Sequence, residues 1–508
     1  MKYSQRHLYA TLLVLVCVFF FFRVPFYTQE LSGEEGIFAY LFINEVQKPN
    51  YLLFSRIDGV DLMGAPQHPA PMYMAINTVG RYTQWLVDFS RLDELASTFV
   101  LRVIFSFPLL LLSISGFLYV FKYCNNNLYY WFALFLTFIT SPVVLVTSTE
   151  LQVDSSFGIG IFGVWVIVIL LLTGARTGGY RIKTSLFFLG NLVAATGKNE
   201  WSLVLFLSLL LVTLYVALRG RRSLFLKEEL TVLFFGFAGI FAGNLLSYLC
   251  YPLGYIWGFD LMSFMTKNES IFNKSKLLQL IGLIKHRWAY VSPNIFFIMV
   301  PFFLFLRSII KMPLLDRAMA ILLSLAGIYY VSLWAEYLLF DVMSFLLPLA
   351  VVVLSLMALT TVLKGEAARR PMHPFTLLPV VFSGLLFGAY FVSTWEVGPR
   401  YFSIALAISL FAVLCVVNNY DDAMQRKVLV NLTVCFLVLN AVSFLNLNRY
   451  KQVVTRTGYV KSGAGYDCLP VMSSAEAVFS KVDFLCGACD KQYSEEMSRK
   501  YNRPLCGP

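Results

Sequence analysis

Charged residues are scarce in this chain of 508 residues, where Asp, Glu, Lys and Arg make up 14% and hydrophobic residues 58%. Soluble domains carry about 25% charged residues, so this composition excludes an ordinary soluble protein. Long apolar runs recur from one end to the other. We therefore predict an all-α polytopic membrane helix bundle, because a helix satisfies its own backbone hydrogen bonds in lipid.

The sequence also lacks a Gly-rich Walker motif, a fixed-period repeat and a low-complexity tract. Its predicted cytoplasmic loops are all short, which leaves no room for a nucleotide-binding domain. These absences disfavour a nucleotide-driven pump and a repeat protein.

The first apolar run, Leu8 to Phe22, follows the basic residues Lys2 and Arg6. A secretory signal would continue into a small-residue cleavage site, whereas Arg23 follows here. We predict an uncleaved anchor whose amino end lies in the cytoplasm.

Twelve further apolar runs predict membrane spans, for about 13 in total. They lie near 98–121, 128–147, 157–173, 184–197, 201–218, 230–252, 289–306, 318–335, 341–363, 374–393, 401–418 and 428–446. Basic residues concentrate in alternate connections, and the positive-inside rule assigns these to the cytoplasm, with the chain ending outside. This bias accounts for the net charge of +11 without any nucleic-acid partner.

Three long segments are predicted outside: 24–97, 253–288 and 447–508. We divide the chain into a transmembrane domain, 1–446, and a small external tail, 447–508. In the first loop, apolar residues at helical spacing predict two amphipathic helices at the membrane interface, one that contains Phe38–Val46 and one that contains Met72–Leu86.

Four of the nine cysteines lie in the predicted external tail: Cys468, Cys486, Cys489 and Cys506. An even number fits disulfides in an oxidising compartment, and four cysteines allow three pairings. Cys486-Gly-Ala-Cys489 is either a redox or zinc motif or part of such a structural staple. The staple is favoured because no second ligand pair accompanies it.

Two adjacent carboxylates, Glu34 and Glu35, follow the first predicted span within Ser32-Gly33-Glu34-Glu35. Ser32-x-x-Glu35 matches a capping box, which assigns the pair to a helix N-terminus. Alternatively, one carboxylate takes a proton from an acceptor hydroxyl while the other tunes it or holds a cation. The spacing leaves both interpretations open.

Five other residues on the predicted external side are candidate ligands. Asp154 is either a helix cap or a second carboxylate facing the first loop. Lys198 lies in a hairpin between two spans and either extends to the interface or binds a phosphate. Arg400 and Tyr401 begin a late span. They are either interface anchors or hydrogen-bond donors to a phosphate. His68 is a weaker candidate donor to a phosphate.

In this order, the motifs resemble the GT-C superfamily of integral-membrane glycosyltransferases. The branch that holds the protein O-mannosyltransferases and the lipid A aminoarabinose transferase has an acidic pair in its first external loop, similar to Glu34-Glu35-Gly36-Ile37-Phe38-Ala39-Tyr40. Its next segment resembles His68-Pro69-Ala70-Pro71-Met72-Tyr73. Its later Asp, Lys hairpin and Arg-Tyr pair resemble Asp154, Ala195–Glu200 and Arg400-Tyr401. Here Glu34 replaces the usual Asp, and Ala70 replaces a Pro.

This resemblance implies a glycosyltransferase that moves a sugar from a polyprenyl-phosphate donor to a hydroxyl of a glycan, lipid or protein. It implies Glu34 as base, with Glu35 and Asp154 shaping the acceptor site or holding a divalent cation, Mg or Mn. Lys198, Arg400, Tyr401 and His68 would bind the donor phosphate. The expected location is the bacterial inner membrane, with the active site facing outside.

Two other classes compete with this hypothesis. A non-enzymatic lipid or polysaccharide transporter predicts ionisable residues at mid-span and inverted repeats. A membrane scaffold would use its tail to bind a partner. An enzyme requires Glu34, Asp154 and Lys198 within one cavity, whereas a transporter does not.

Overall fold

A computed structural model describes residues 4–27, 56–57, 60–61, 78–80, 82–83, 85–88, 91–92, 94–151, 153–174, 180–197, 199–219, 226–250, 297–298, 300–301, 304, 374–393 and 399–445. Most of these residues are helical. A short pair of strands, β1 (Arg56–Ile57) and β2 (Val60–Asp61), is antiparallel, with Arg56 opposite Asp61.

The principal helices are α1 (Gln5–Tyr27), α2 (Glu94–Tyr123), α3 (Leu128–Ile139), α4 (Pro142–Thr147), α5 (Gly158–Gly174), α6 (Tyr180–Ala195), α7 (Asn199–Arg219), α8 (Leu226–Cys250), α9 (Leu377–Ser393), α10 (Pro399–Val417) and α11 (Asp422–Leu445). Short 3₁₀ turns, Asn125–Asn127 and Pro374–Thr376, precede α3 and α9. A π-helical turn, Val153–Phe157, leads directly into α5.

Among the described residues, five helices are long and apolar enough to cross a membrane. They contain the segments Gln5–Tyr27, Ala96–Tyr123, Ser155–Thr173, Trp201–Leu218 and Glu228–Ser247. The predicted all-helical membrane bundle is confirmed at this level. The total of about 13 spans and their orientation stay predictions. The tail 447–508, with its four cysteines, the loop 253–288 and the predicted spans 318–335 and 341–363 lie outside the described residues.

The predicted span 128–147 is not a single helix but two consecutive helices, α3 and α4. Helix α3 ends at Ile139, and Ser141 is extended, with φ −60° and ψ 132°, before Pro142 begins α4. Proline lacks an N–H donor and disfavours helical backbone in the residue before it. The interruption frees carbonyl groups at the end of α3, and these need other donors.

Helix α10 lies at the centre of the described part of the bundle. Every residue from Ser403 to Val417 is buried, so the helix has no exposed face over that stretch. It packs against α9, α5, α4, α2 and the π turn. Gly116 of α2 makes room for α10, since the Phe411 ring occupies the space that a Cβ would fill.

Helices α6 and α8 pack closely through two glycines of α8. A Cβ on Gly243 would lie 2.7 Å from the Leu192 carbonyl oxygen and 2.9 Å from the Ala195 Cβ. A Cβ on Gly239 would overlap the Phe188 carbonyl oxygen. Small residues are typical where membrane helices approach backbone to backbone.

Polar groups join the α2–α3 turn to the α10–α11 turn. The Asn127 amide donates to Gln425 Oε1 at 2.9 Å, and its Oδ1 accepts from Arg426 Nε at 3.0 Å. Cys124 Sγ donates to Asn418 Oδ1 at 2.9 Å. We call this end of the bundle, predicted to be cytoplasmic, the Asn127 end.

Candidate functional site

The site residues predicted from the sequence are described unequally. Glu34, Glu35, His68 and Lys198 lie outside the described residues. The backbone of Asp154 is described in the π turn, and that of Arg400 and Tyr401 in the first turn of α10. Backbone positions therefore decide which of these residues share one end of the bundle.

Asp154 lies inside a wide helical turn, since Val153–Phe157 is π-helical and continuous with α5. The hydroxyls of Ser155 and Ser156, both buried, donate to the Glu150 carbonyl oxygen at 3.3 and 2.7 Å. The turn therefore closes back on the residue four positions before Asp154. Single π turns within helices occur frequently at functional sites. Asp154 is part of such a turn, whereas the cap interpretation expected it to precede the helix.

The first turn of α10 lies level with the π turn. Helices α2 and α10 run parallel, because Gly116 contacts Phe411 and, seven to eight residues later, Cys124 bonds to Asn418. Eleven residues before Gly116 is Phe105, and eleven before Phe411 is Arg400, roughly 16 Å along each axis. The Phe105 ring packs edge-on against Phe157, with centroids 4.6 Å apart. Arg400 and Asp154 thus belong to one end of the bundle, which we call the π-turn end.

The α6–α7 hairpin reaches the same end. Its Gly197 packs so tightly that a Cβ there would lie 2.5 Å from the Trp201 ring and 3.2 Å from Ile161. Trp201 is fully buried and packs against Phe162, with centroids 5.1 Å apart. Ile161 and Phe162 belong to the first turns of α5, directly after the π turn. The hairpin that contains position 198 is therefore held beside the turn that contains Asp154.

Two buried arginines at the π-turn end were missed by the sequence interpretation. Arg23 of α1 is 0% exposed and Arg102 of α2 is 4% exposed. Arg23 Nε donates to Ser148 Oγ at 3.1 Å, and Arg102 Nη1 donates to the Thr149 carbonyl oxygen at 3.0 Å. An ionisable residue within an apolar span is a functional signal by itself. Arg102 lies within the predicted span 98–121 and carried that signal, whereas Arg23 directly follows the first apolar run.

Arg23 also caps the broken helix. Its Nη1 donates to the carbonyl oxygens of Ile139, the last residue of α3, and of Phe19, at 3.2 and 3.1 Å. The guanidinium carbon lies 3.6 Å from the centre of the Phe19 ring, a cation–π distance. The positive charge is therefore stabilised by helix carbonyl groups and an aromatic face.

Within the parts of the chain that the structure describes, no group of three or more His, Cys, Asp or Glu side chains is positioned to hold a metal ion. Glu34 lies outside those parts. The divalent cation expected at Glu34 and Asp154 therefore stays a prediction.

No protein-family model, curated protein or solved structure matches this chain. The resemblance to GT-C enzymes accordingly depends on the quoted residues and their order.

Proposed function

We propose that this chain is a GT-C type glycosyltransferase that uses a polyprenyl-phosphate sugar as donor. The observation that carries the proposal is the convergence at the π-turn end. The π turn with Asp154, the hairpin on either side of position 198 and the first turn of α10 come from distant parts of the chain. A donor phosphate and an acceptor hydroxyl need such a meeting of acidic and basic residues within one site.

The chemistry follows from the residue types. Glu34 takes the proton of the acceptor hydroxyl, whose oxygen then bonds to the anomeric carbon of the sugar. The bond between that carbon and the phosphate oxygen breaks, and polyprenyl phosphate leaves with the electron pair. Lys198 and Arg400, with Tyr401 and His68, neutralise the charge on the leaving phosphate. Glu35 and Asp154 shape the acceptor site or hold the cation.

The test is release of polyprenyl phosphate by the purified full-length protein in liposomes. Polyprenyl-phosphate-linked pentoses and hexoses serve as donors, a cell-envelope extract supplies acceptors, and mass spectrometry measures the product. We expect Glu34→Gln to lower turnover about 100-fold or more, the usual contribution of a general base. Glu228→Gln is the matched control, because Glu228 is exposed in the first turn of α8, on the predicted cytoplasmic side.

For the phosphate-binding side, we expect Lys198→Met to lower kcat/KM for the donor about 10- to 100-fold, the usual effect of losing a charged hydrogen bond. Lys122→Met is its control, since Lys122 lies at the Asn127 end of α2. Full activity in Glu34→Gln would remove Glu34 as base. Full activity in Lys198→Met as well would leave the proposed site without support.

One observation favours a second candidate, a lipid or polysaccharide transporter. Buried arginines within apolar helices are also typical of transport pathways. However, Arg23 lies only four residues before Tyr27, the last residue of α1. A transport pathway at mid-span would require the arginine near the middle of the helix. The same liposomes decide between the two: movement of a fluorescent polyprenyl phosphate across the bilayer without product release would favour transport.

A further inference from the structure

Three consecutive residues before the π turn are each held by a side chain from elsewhere. Ser148 is held by Arg23 of α1, and Thr149 by Arg102 of α2. The Glu150 carbonyl is held by Ser156, from inside the π turn. The segment that leads to Asp154 is thus tied to two separate transmembrane helices and to the turn itself.

These two helices are themselves fixed relative to each other at this level. Tyr27, one turn beyond Arg23, shares a hydrogen bond of 3.0 Å with Ser106 of α2, and its ring packs on Phe99 at 5.4 Å. The two arginines therefore reach residues 148 and 149 from a rigid base. Together they fix both the position and the direction of the chain before the π turn.

Stability alone does not explain Arg23. All its partners among the described residues are neutral, and its Nη2 is buried there with no hydrogen-bond partner. Removing a guanidinium from water is costly. Replacing buried charged groups by apolar side chains of similar volume often leaves the stability of the fold unchanged or raises it. What an apolar side chain lacks is the rigid fork that reaches Ile139 and Ser148 at once.

We propose that Arg23 and Arg102 are positioning residues that form a clamp on residues 148 and 149 and thereby fix the π turn that contains Asp154. Arg23 joins the end of α3 to the segment after α4, and Arg102 joins the next residue to α2. The role of Asp154 in sugar transfer rests on the proposed function, whereas the ordering of the turn does not. The clamp predicts that order at the π turn and overall stability respond differently to loss of Arg23.

Hydrogen–deuterium exchange of the purified full-length protein in detergent tests the clamp. In Arg23→Met, we expect the peptide covering 148–157 to exchange about tenfold or more faster than in the parent. Peptides from α7 and α8 keep the parental rate, and the melting temperature shifts by less than about 4 °C. Arg181→Met is the matched control, because Arg181 is exposed on α6; it leaves the 148–157 peptide unchanged.

Unchanged exchange at 148–157 in Arg23→Met overturns the clamp, whatever reaction the protein catalyses. If Arg23→Met does not fold, the same measurement on Arg23→Lys decides, because lysine keeps the charge and loses the fork; parental exchange there equally overturns it. Turnover of the polyprenyl-phosphate donor is read separately. If an Arg23 variant shows faster exchange at 148–157 but full turnover, Arg23 orders the π turn, and its role in positioning Asp154 for sugar transfer is refuted. No turnover in the parent refutes the proposed function and leaves the exchange result standing.

Discussion

At the scale of single residues, the two ends of the bundle use polar side chains differently. At the π-turn end, Arg23 and Arg102 bring full charges among buried atoms and bind backbone or hydroxyl oxygens. At the Asn127 end, the buried groups are neutral amides and a thiol, and Arg426 is exposed. A contact that serves only stability needs no buried charge. We therefore infer that the arginines of the π-turn end serve to position its residues more than to stabilise the fold.

The thiol of Cys124 gives a prediction at this scale. Burial, and secondarily the nearby Asp422, raises the pKa of Cys124 from 9.0 to about 12. At pH 8 its thiolate fraction is therefore about 1,000-fold below that of an ordinary thiol, and only the thiolate reacts. We expect N-ethylmaleimide to label Cys124 correspondingly slowly in the folded protein and at the ordinary rate after unfolding in SDS, measured by peptide mass spectrometry.

The same pKa has a consequence for stability. The folded thiol keeps its proton up to about pH 12, whereas the unfolded thiol loses it above pH 9.0. The contribution of Cys124 to folding is therefore complete below pH 9 and falls as pH rises from 9 towards 12. Rapid labelling of the folded protein at pH 8 would contradict both expectations.

At the scale of helices, close contact between α6 and α8 determines where the hairpin after α6 lies. Gly239 and Gly243 let α8 approach the backbone of α6 at Phe188 and Leu192, and Gly243 also faces Ala195. Ala195 is the last residue of α6, immediately before the hairpin that leads to position 198. The contact of Gly239 and Gly243 with α6 thus fixes where along the bundle axis that hairpin begins.

Gly243→Ala tests this contact. The added methyl group would overlap the Leu192 carbonyl, so we expect a loss of about 1–3 kcal/mol in unfolding free energy. Gly384→Ala is the control, because none of the described residues lies within 4 Å of a Cβ there and alanine favours a helix. Unfolding in SDS, followed by tryptophan fluorescence, compares them. Equal midpoints for the two variants would mean that α6 and α8 are not in close contact.

The sequence predicted the helices better than their interruptions. Spans predicted at 201–218 and 401–418 agree with α7 and α10 within two residues, because apolar composition alone defines them. The break in 128–147 carried the signal Ser141-Pro142, which a count of hydrophobic residues ignores. The π turn at Asp154 depends on Glu150, Ser155 and Ser156 meeting in space, and no local pattern encodes that.

The candidate site was predictable only in part. The alternation of predicted spans is enough to predict that Asp154, Lys198 and Arg400 lie on one side of the membrane. Arg23 was not recognised, because it ends an apolar run and is then easily interpreted as a boundary. Its partners, Ile139 and Ser148, are more than a hundred residues away.

At the scale of the whole molecule, the sidedness of the bundle decides whether its chemistry is external. The positive-inside rule assigns Arg181 to the cytoplasm and residue 85 to the exterior. Their side chains are suited to a test, since Trp85 is 85% exposed and Arg181 is exposed at the start of α6.

We expect a membrane-impermeant maleimide to label Trp85→Cys in intact cells, and Arg181→Cys only after permeabilisation. The unsubstituted protein gives the background from its own cysteines. Labelling of Arg181→Cys in intact cells, with Trp85→Cys protected, would place the π turn in the cytoplasm. An external glycosyltransferase would then be ruled out.

Helix α10, enclosed on all sides from Ser403 to Val417, also bears on how the protein is made. Its neighbours α2, α4 and α5 are synthesised long before it. The surfaces that they pack against α10 therefore have no partner until about four-fifths of the chain has been synthesised. A messenger RNA truncated before codon 399 would thus yield a bundle without its axis, a natural substrate for membrane proteases. Biogenesis of this protein is governed by the arrival of its last helices, however early the others insert.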